Sequence, residues 1–255
     1  MKKSAHFYIR KSHRYLGLII GIQFLAWTVS GLYFSWSDLD EVHGDFHRKP
    51  TPLLSLNERL VSPDSVWRQV KGDSLVGIQL IELFGRPVYQ VVYLHQSQGH
   101  AMKHVQLADA RTGQLRKPLS QAEAVTLAQS RFTGEASVAS VEYVTETNAH
   151  HEYREQPLPA YAITFDHPSR TTVYVATELG TVQKFRNRPW RIFDFLWMGH
   201  TMDYQGRDNF NNWLLRIFSL FGLLAVLSGF TLYVVSSRVK RQSLRKHPKR
   251  IRAVS

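Results

Sequence analysis

The chain has no cysteine, which rules out disulfide bonds, thiol nucleophiles and cysteine-ligated iron–sulfur clusters. Also missing are the Gly-x-Ser-x-Gly elbow of activated serines, the His-Glu-x-x-His zinc helix and the Gly-x-x-x-x-Gly-Lys-Ser/Thr phosphate loop. Nothing in it resembles a nicotinamide or flavin fingerprint. An autonomous hydrolase or dehydrogenase is therefore not expected. Acidic residues are confined: none of the 20 Asp and Glu lies before Ser37 or after Phe210.

That last absence explains the charge. The 255 residues carry a net +12, which at first suggests phosphate binding. Yet Lys2, Lys3, Arg10, Lys11 and Arg14 crowd residues 1–14, and eight more basic residues lie in 236–255. Residues 37–210 hold 18 Lys and Arg against all 20 acids, a net of −2. The excess is two short tails, each abutting an apolar run, so a membrane is expected and nucleic acid is not.

Residues 15–36 form 22 positions without a charge. As a helix they span roughly 33 Å, enough for a hydrocarbon core of ~30 Å. A second run covers 211–235, with Arg216 near enough to its start to snorkel to the interface. Tyr33, Trp36, Trp213 and Tyr233 sit near the ends, as interfacial aromatics do. Basic residues gather on the cytoplasmic side. Both ends are therefore expected in the cytoplasm and residues 37–210 in the periplasm, with the chain in the inner membrane. The first run is too long, and lacks the small-residue site, for a cleaved signal peptide. Gly17 and Gly21 share a helix face that allows close packing. Their partner is either the second run, with Gly222 and Gly229, or another subunit; packing within the chain is favoured.

The intervening part is expected to be α+β: a stalk at 37–60, then one unit used twice, at 61–118 and 119–186. Ser62-Pro63-Asp64 starts a helix over 63–70, with Ser62 as N-cap and Pro63 in the first turn. Strands are expected at 76–83, 88–94 and 104–109, closed by a turn ending at Gly113. Ser120 and Glu123 have capping-box spacing for a helix to about 132. Strands then recur at 137–145, 160–165 and 172–176, with a turn ending at Gly180. The two closing glycines lie 67 residues apart and the two helix caps 58. Each unit reads as a helix followed by an antiparallel meander.

These units, with Pro-Val-Tyr-Gln-Val (87–91), Pro-Ala-Tyr-Ala-Ile (159–163) and Asp-Ala-Arg-Thr-Gly (109–113), resemble PepSY domains. The flanking runs resemble the PepSY-associated transmembrane helices. His-Arg-Tyr-Leu-Gly (13–17) opens the first, and Ser-Gly-Leu-Tyr-Phe (30–34) ends it. Glu-Val-His-Gly-Asp (41–45) follows, and Gly-His-Thr-Met-Asp-Tyr-Gln-Gly (199–206) leads into the second. The resemblance covers almost the whole chain. It implies one of two roles: restraint or binding of a protein partner, as secreted PepSY domains are associated with peptidases, or haem-based ferric-siderophore reduction, as in larger four-span members.

Neither run contains a histidine within residues 15–36 or 211–235, so a bis-histidine haem in the bilayer core of one protomer is excluded. At the edges lie His13, His43, His47 and His200. Neutral imidazole is a nitrogen ligand for iron, copper or zinc. His47 or His43 with His200 could supply an axial pair for haem, walled by the aromatic segment 187–210, and His13 could pair with its counterpart across a homodimer. The favoured reading has these imidazoles hydrogen-bonded to backbone or headgroups. His95, His100 and His104, and His150 with His151, are expected as solvated hairpin-loop residues. The segment 189–198 either lies along the membrane surface or is buried under the domain. The favoured function is a membrane-anchored binding or regulatory module acting on a periplasmic or membrane protein; the alternative is a haem-bearing electron-transfer subunit.

Overall fold

The computed structural model describes residues 5–54, 59–97 and 99–246, with side chains for 11 and 13–234 within that range. The basic ends at 1–14 and 236–255 thus lie partly outside the described residues, as does part of the segment 37–60. The chain folds as two compact units: one combines residues up to Ser35 with those from Leu196 onward, and the other is Trp36–Phe195.

The first unit is helical. Helices α1 (Ala5–Trp36) and α6 (Trp213–Lys246) contain the runs His13–Trp36 and Trp213–Val234, both long and apolar enough to cross a membrane. Asn212 sets the start of α6: its side-chain oxygen accepts the Leu215 N–H at 2.8 Å. Leu18, Ile22, Leu25 and Phe230 point outward and are exposed. A Cβ on Gly222 would meet the Phe24 ring at 3.4 Å, so α6 comes close to α1 there. Gly17 and Gly21 differ from expectation. Among the described residues nothing lies within 4 Å of a Cβ built on either, so their face is open rather than packed within the chain.

The second unit is α+β. Asp38 caps the short helix α2 (Leu39–His43), and Gly44 ends it at φ +80° before a 3-10 turn, Asp45–His47. This stretch docks on the body: Val42 is buried, Thr133 N–H donates to the His47 carbonyl at 2.9 Å, and Lys49 N–H to that of Arg131 at 2.7 Å. Helix α3 (Pro63–Trp67) then leads into β1 (Ser74–Leu83), β2 (Arg86–Ser97), β3 (His100–Asp109) and β4 (Leu115–Arg116). Helix α4 (Gln121–Arg131) leads into β5 (Val138–Val144), β6 (Ala160–Phe165), β7 (Thr172–Ala176) and β8 (Thr181–Arg186). Each set of four strands is a separate antiparallel sheet in chain order.

The two halves repeat the same backbone bonds. Val61 N–H reaches the Ala110 carbonyl at 2.9 Å as Leu119 N–H reaches that of Thr177 at 3.0 Å. Ala110 N–H meets Pro87 O as Thr177 N–H meets Pro159 O, both at 3.1 Å. Gly113 and Gly180 close the matching turns at φ +76° and +65°, a backbone region costly for residues with a Cβ. The capping box at Ser120 and Glu123 forms as its spacing predicts.

Several strand features differ from the sequence-based expectation, among them the two-residue β4, which lies beyond the expected closing turn at Gly113. Strands β2 and β3 run much further toward their hairpin, so His95 and His100 lie on strands as His104 does, with Tyr93 paired to His104 and His95 to Met102. Strand β8 was not anticipated, because its alternation is blurred by Gln183 and Lys184, both partly buried.

Packing joins the halves. Leu83, Val88 and Leu107 of the first sheet share one core with Leu127 and Ala128 of α4 and with Ile163, Val173 and Phe185 of the second. Phe132, 1 % exposed, stacks on Phe165 at a 4.3 Å ring separation within it. Helix α3 covers a smaller cluster around Val66, Tyr89 and Val91. Phe132→Ala removes a large buried ring and should cost about 3–5 kcal/mol. Hydrogen exchange on the full chain should show faster opening of the β6 and β7 amides; unchanged exchange would mean the aromatic pair is not part of the core.

Candidate functional site

In the helical unit, Gln23, Trp27, Ser30 and Phe34 recur at helical spacing and form one stripe on α1. All four address the end of α5 (Arg188–Thr201), whose residues from Leu196 belong to this unit. Gln23 donates to the Gly199 carbonyl at 3.2 Å, and Trp27 Nε1 to that of His200 at 2.8 Å. The Ser30 hydroxyl lies 2.7 Å from His200 Nδ1, Trp197 stacks on the imidazole, and Phe34 meets it edge-on.

The proton on this imidazole follows from the hydroxyl. Ser30 Oγ donates back to the Ala26 carbonyl at 2.8 Å, so toward His200 it accepts. Nδ1 therefore carries the hydrogen, and Nε2 keeps the lone pair that binds metals. His13 is built the same way: its Nδ1 lies 2.8 Å from Ser228 Oγ, which itself donates to the Ala225 carbonyl at 2.7 Å. Hydrogen bonding through the other ring nitrogen is the usual support of a ligating histidine. The two are not brought together. His200 sits at Ser30, 17 residues along α1 from His13, or about 25 Å at the helical rise.

The motif after His200 is a tight connector. Burial alone would raise the Asp203 carboxyl, but N–H groups of Gly206, Asn209, Gln205 and Asp208 turn to it and hold it below the usual carboxylate range. Asn212 clasps the same turn, donating to the carbonyls of Thr201 and Asn209.

In the α/β unit, His43 is exposed at the end of α2. His47 is partly buried, stacked on Phe132, with the His167 ring centroid 5.0 Å away. Burial, then the neighbouring His167, pushes its pKa down. His167 was missed in the sequence: nothing local marks it, and only the docking of the 3-10 turn on the end of α4 brings His47 to it. Among the described residues, no three His, Asp or Glu side chains gather as metal ligands.

A second feature escaped the sequence altogether. One face of the second sheet carries the core; the other forms the floor of an open groove of about 880 Å³. Register sets that floor: Ser140, Thr164 and Thr172 form one row across β5–β7, and Glu142, Ala162 and Tyr174 the next. The start of α5 walls one side. There Glu152 accepts from Tyr174 Oη at 2.8 Å and from Arg191 Nε at 2.7 Å, while Arg154 pairs with Asp194 at 2.8 Å. The Arg186 guanidinium lies 3.9 Å over the Trp190 ring, and burial pulls its pKa down to about 10. Burial, with the Glu152 carboxylate, pushes Tyr174 far up, so its hydroxyl stays a donor.

Comparison of the chain with models of protein families, with curated proteins and with solved structures returned no match.

Burial also lowers the His200 pKa, favouring the neutral imidazole. Such a group supports the fold above its unfolded value of about 6.5; as pH drops below that, the unfolded chain gains protons first and the support is lost. In a ring-carbon NMR titration, His47 and His200 should both show midpoints below 6.5. A midpoint at or above it would contradict their burial.

Proposed function

We propose that the chain is an inner-membrane protein with α1 and α6 as its spans, both ends cytoplasmic and residues 37–210 periplasmic. In this reading the α/β unit is a PepSY-type binding or regulatory module acting on a protein partner or membrane complex. The observation that carries it is the walled polar groove on the open face of the second sheet. Binding sites are concave, with a few placed polar groups, and this one is supported by the Glu152–Arg191–Tyr174 network. The acid-free basic tails beside each apolar run support the orientation. A photo-cross-linking residue at Ser140, exposed at the groove, should give a discrete adduct in intact cells, whereas one at exposed Arg68 should not. Loss of the Ser140 adduct would sink the proposal.

A haem-binding electron-transfer role is the second reading, favoured by the shared geometry of His13 and His200. Each offers an unprotonated Nε2 with Nδ1 anchored on a serine, so each would be able to hold haem iron. His13 would take its second ligand from its counterpart in a homodimer. Haem, once held, would supply one-electron chemistry. Detergent-purified protein from haem-replete cells should then show a Soret band with sharp reduced bands, diminished in His200→Ala. A flat visible spectrum would remove this reading.

A further inference from the structure

The walls of the groove differ in charge. On the α5 side, Arg191 spends its donors internally: Nε and Nη2 on Glu152, Nη2 also on Thr172, and Nη1 on the Arg170 carbonyl at 2.7 Å. Its role is to clamp the β6–β7 loop to the helix. Arg188 N–H adds a second clasp, donating to the Ser169 carbonyl at 2.9 Å. That fixes the loop so that Arg170 and Arg188 line the groove, both exposed. Among the described residues neither guanidinium is ion-paired. Arg170 is held at φ +47°, an unfavourable backbone state for a side-chain-bearing residue, with its N–H on the His167 carbonyl at 2.8 Å. On the β5 side stands Glu142, and at the loop end Asp166.

Resting on the binding-module reading above, we propose that this groove takes an extended segment of a partner polypeptide bearing acidic side chains, with their carboxylates on Arg170 and Arg188. Guanidinium groups match carboxylates in shape and charge. An anionic membrane surface would meet Glu142 and Asp166 as well as the arginines. An extended peptide avoids that conflict, because successive side chains point to opposite sides. Acidic residues two apart then face the α5 wall, and the residues between face β5. Between Glu142 on one side and Tyr174 on the other, the floor is Ser140, Ala162 and Thr164, small enough to admit a backbone, and Ser140 and Thr164 bring hydroxyls to meet it.

The test uses the full chain in detergent and a dye-labelled octapeptide of alternating glutamate and serine, read by fluorescence anisotropy. The glutamate peptide should bind at least tenfold more tightly than its glutamine counterpart and weaken as salt rises from 50 to 300 mM. R170E/R188E should weaken it at least tenfold, and R170K/R188K should retain most of the binding. Both positions are exposed, so exchange of the β6 and β7 amides should not change and reports on folding separately. Equal binding of the glutamine peptide, or unaltered binding by R170E/R188E, overturns the proposal. Displacement by phosphatidylglycerol vesicles also overturns it, and assigns the groove to a membrane surface. A Ser140 adduct in cells without glutamate-peptide binding would leave the binding module standing and refute this ligand.

Discussion

Burial of the first sheet's end against α4 and the second sheet is the constraint from which the α/β unit follows. Leu83, Val88 and Leu107 are buried in one core with Leu127, Phe132, Ile163, Val173 and Phe185. A four-stranded meander with one short helix, at roughly 60 residues, buries only a marginal fraction of its surface by itself. Helix α3 spans only Pro63–Trp67 and covers a smaller cluster of Val66, Val70, Tyr89, Val91, Ala108 and Ala110. Duplication alone would not solve this, since two identical units could remain strung apart. The solution lies in asymmetry: α4 is longer, and it lies where both sheets can use it. Gly180 permits the approach, because a Cβ there would meet Leu107 at 3.0 Å.

The shared core also determines where the groove lies. Once one face of the second sheet is committed inward, the other must be covered or polar. It is covered in part. The turn carrying Glu152, Tyr153 and Arg154 packs on β7 and on Val144, Ala160 and Ala162 of β5 and β6, and Arg191 of α5 reaches Thr172, leaving the groove open beside Ser140 and Thr164. That cover is held by charge: Glu152 takes Arg191 and Tyr174, Asp194 takes Arg154, and Arg186 stacks on Trp190. Breaking one partner would leave another charge buried and unmatched, which costs more than the pair contributes. The network is thus suited to fixing geometry rather than adding stability, and the groove wall is the geometry it fixes.

The helices' apolar runs, the capping box and the matched closing turns were legible because each is written in consecutive residues. Ser120 and Glu123 satisfy each other's backbone locally, and Gly113 and Gly180 mark the same turn without reference to anything distant. His200 was legible as an edge histidine, though its tautomer was not: that depends on Ser30, 170 residues away, and on that hydroxyl turning back into its own helix. His167 and the groove were hidden for the same reason. The groove floor includes the small residues Ser140, Ala162 and Thr164, whose meaning comes from cross-strand register. Strand β8 was obscured because its partly buried polar side chains break the alternation that marks a strand. Gly17 and Gly21 show the converse, a local pattern that implied packing where the described fold leaves open space.

The two functional readings draw on different parts of the molecule and can be judged separately. A serine that donates to its own helix can only accept from an imidazole, so Ser30 and Ser228 each select the Nδ1–H tautomer and leave Nε2 basic. The same arrangement would arise if the serines merely satisfied histidines at helix contacts, because a buried ring N–H needs an acceptor in any case. What separates the cases is what faces Nε2. At His200 the ring is flanked by Trp197 and Phe34, which suits a porphyrin edge but equally suits a packed aromatic contact. With about 25 Å between His13 and His200, one iron cannot use both. A redox role therefore requires an additional ligand for each, whereas the groove already contains every side chain its proposed chemistry uses. That difference in what must be added places the binding module ahead.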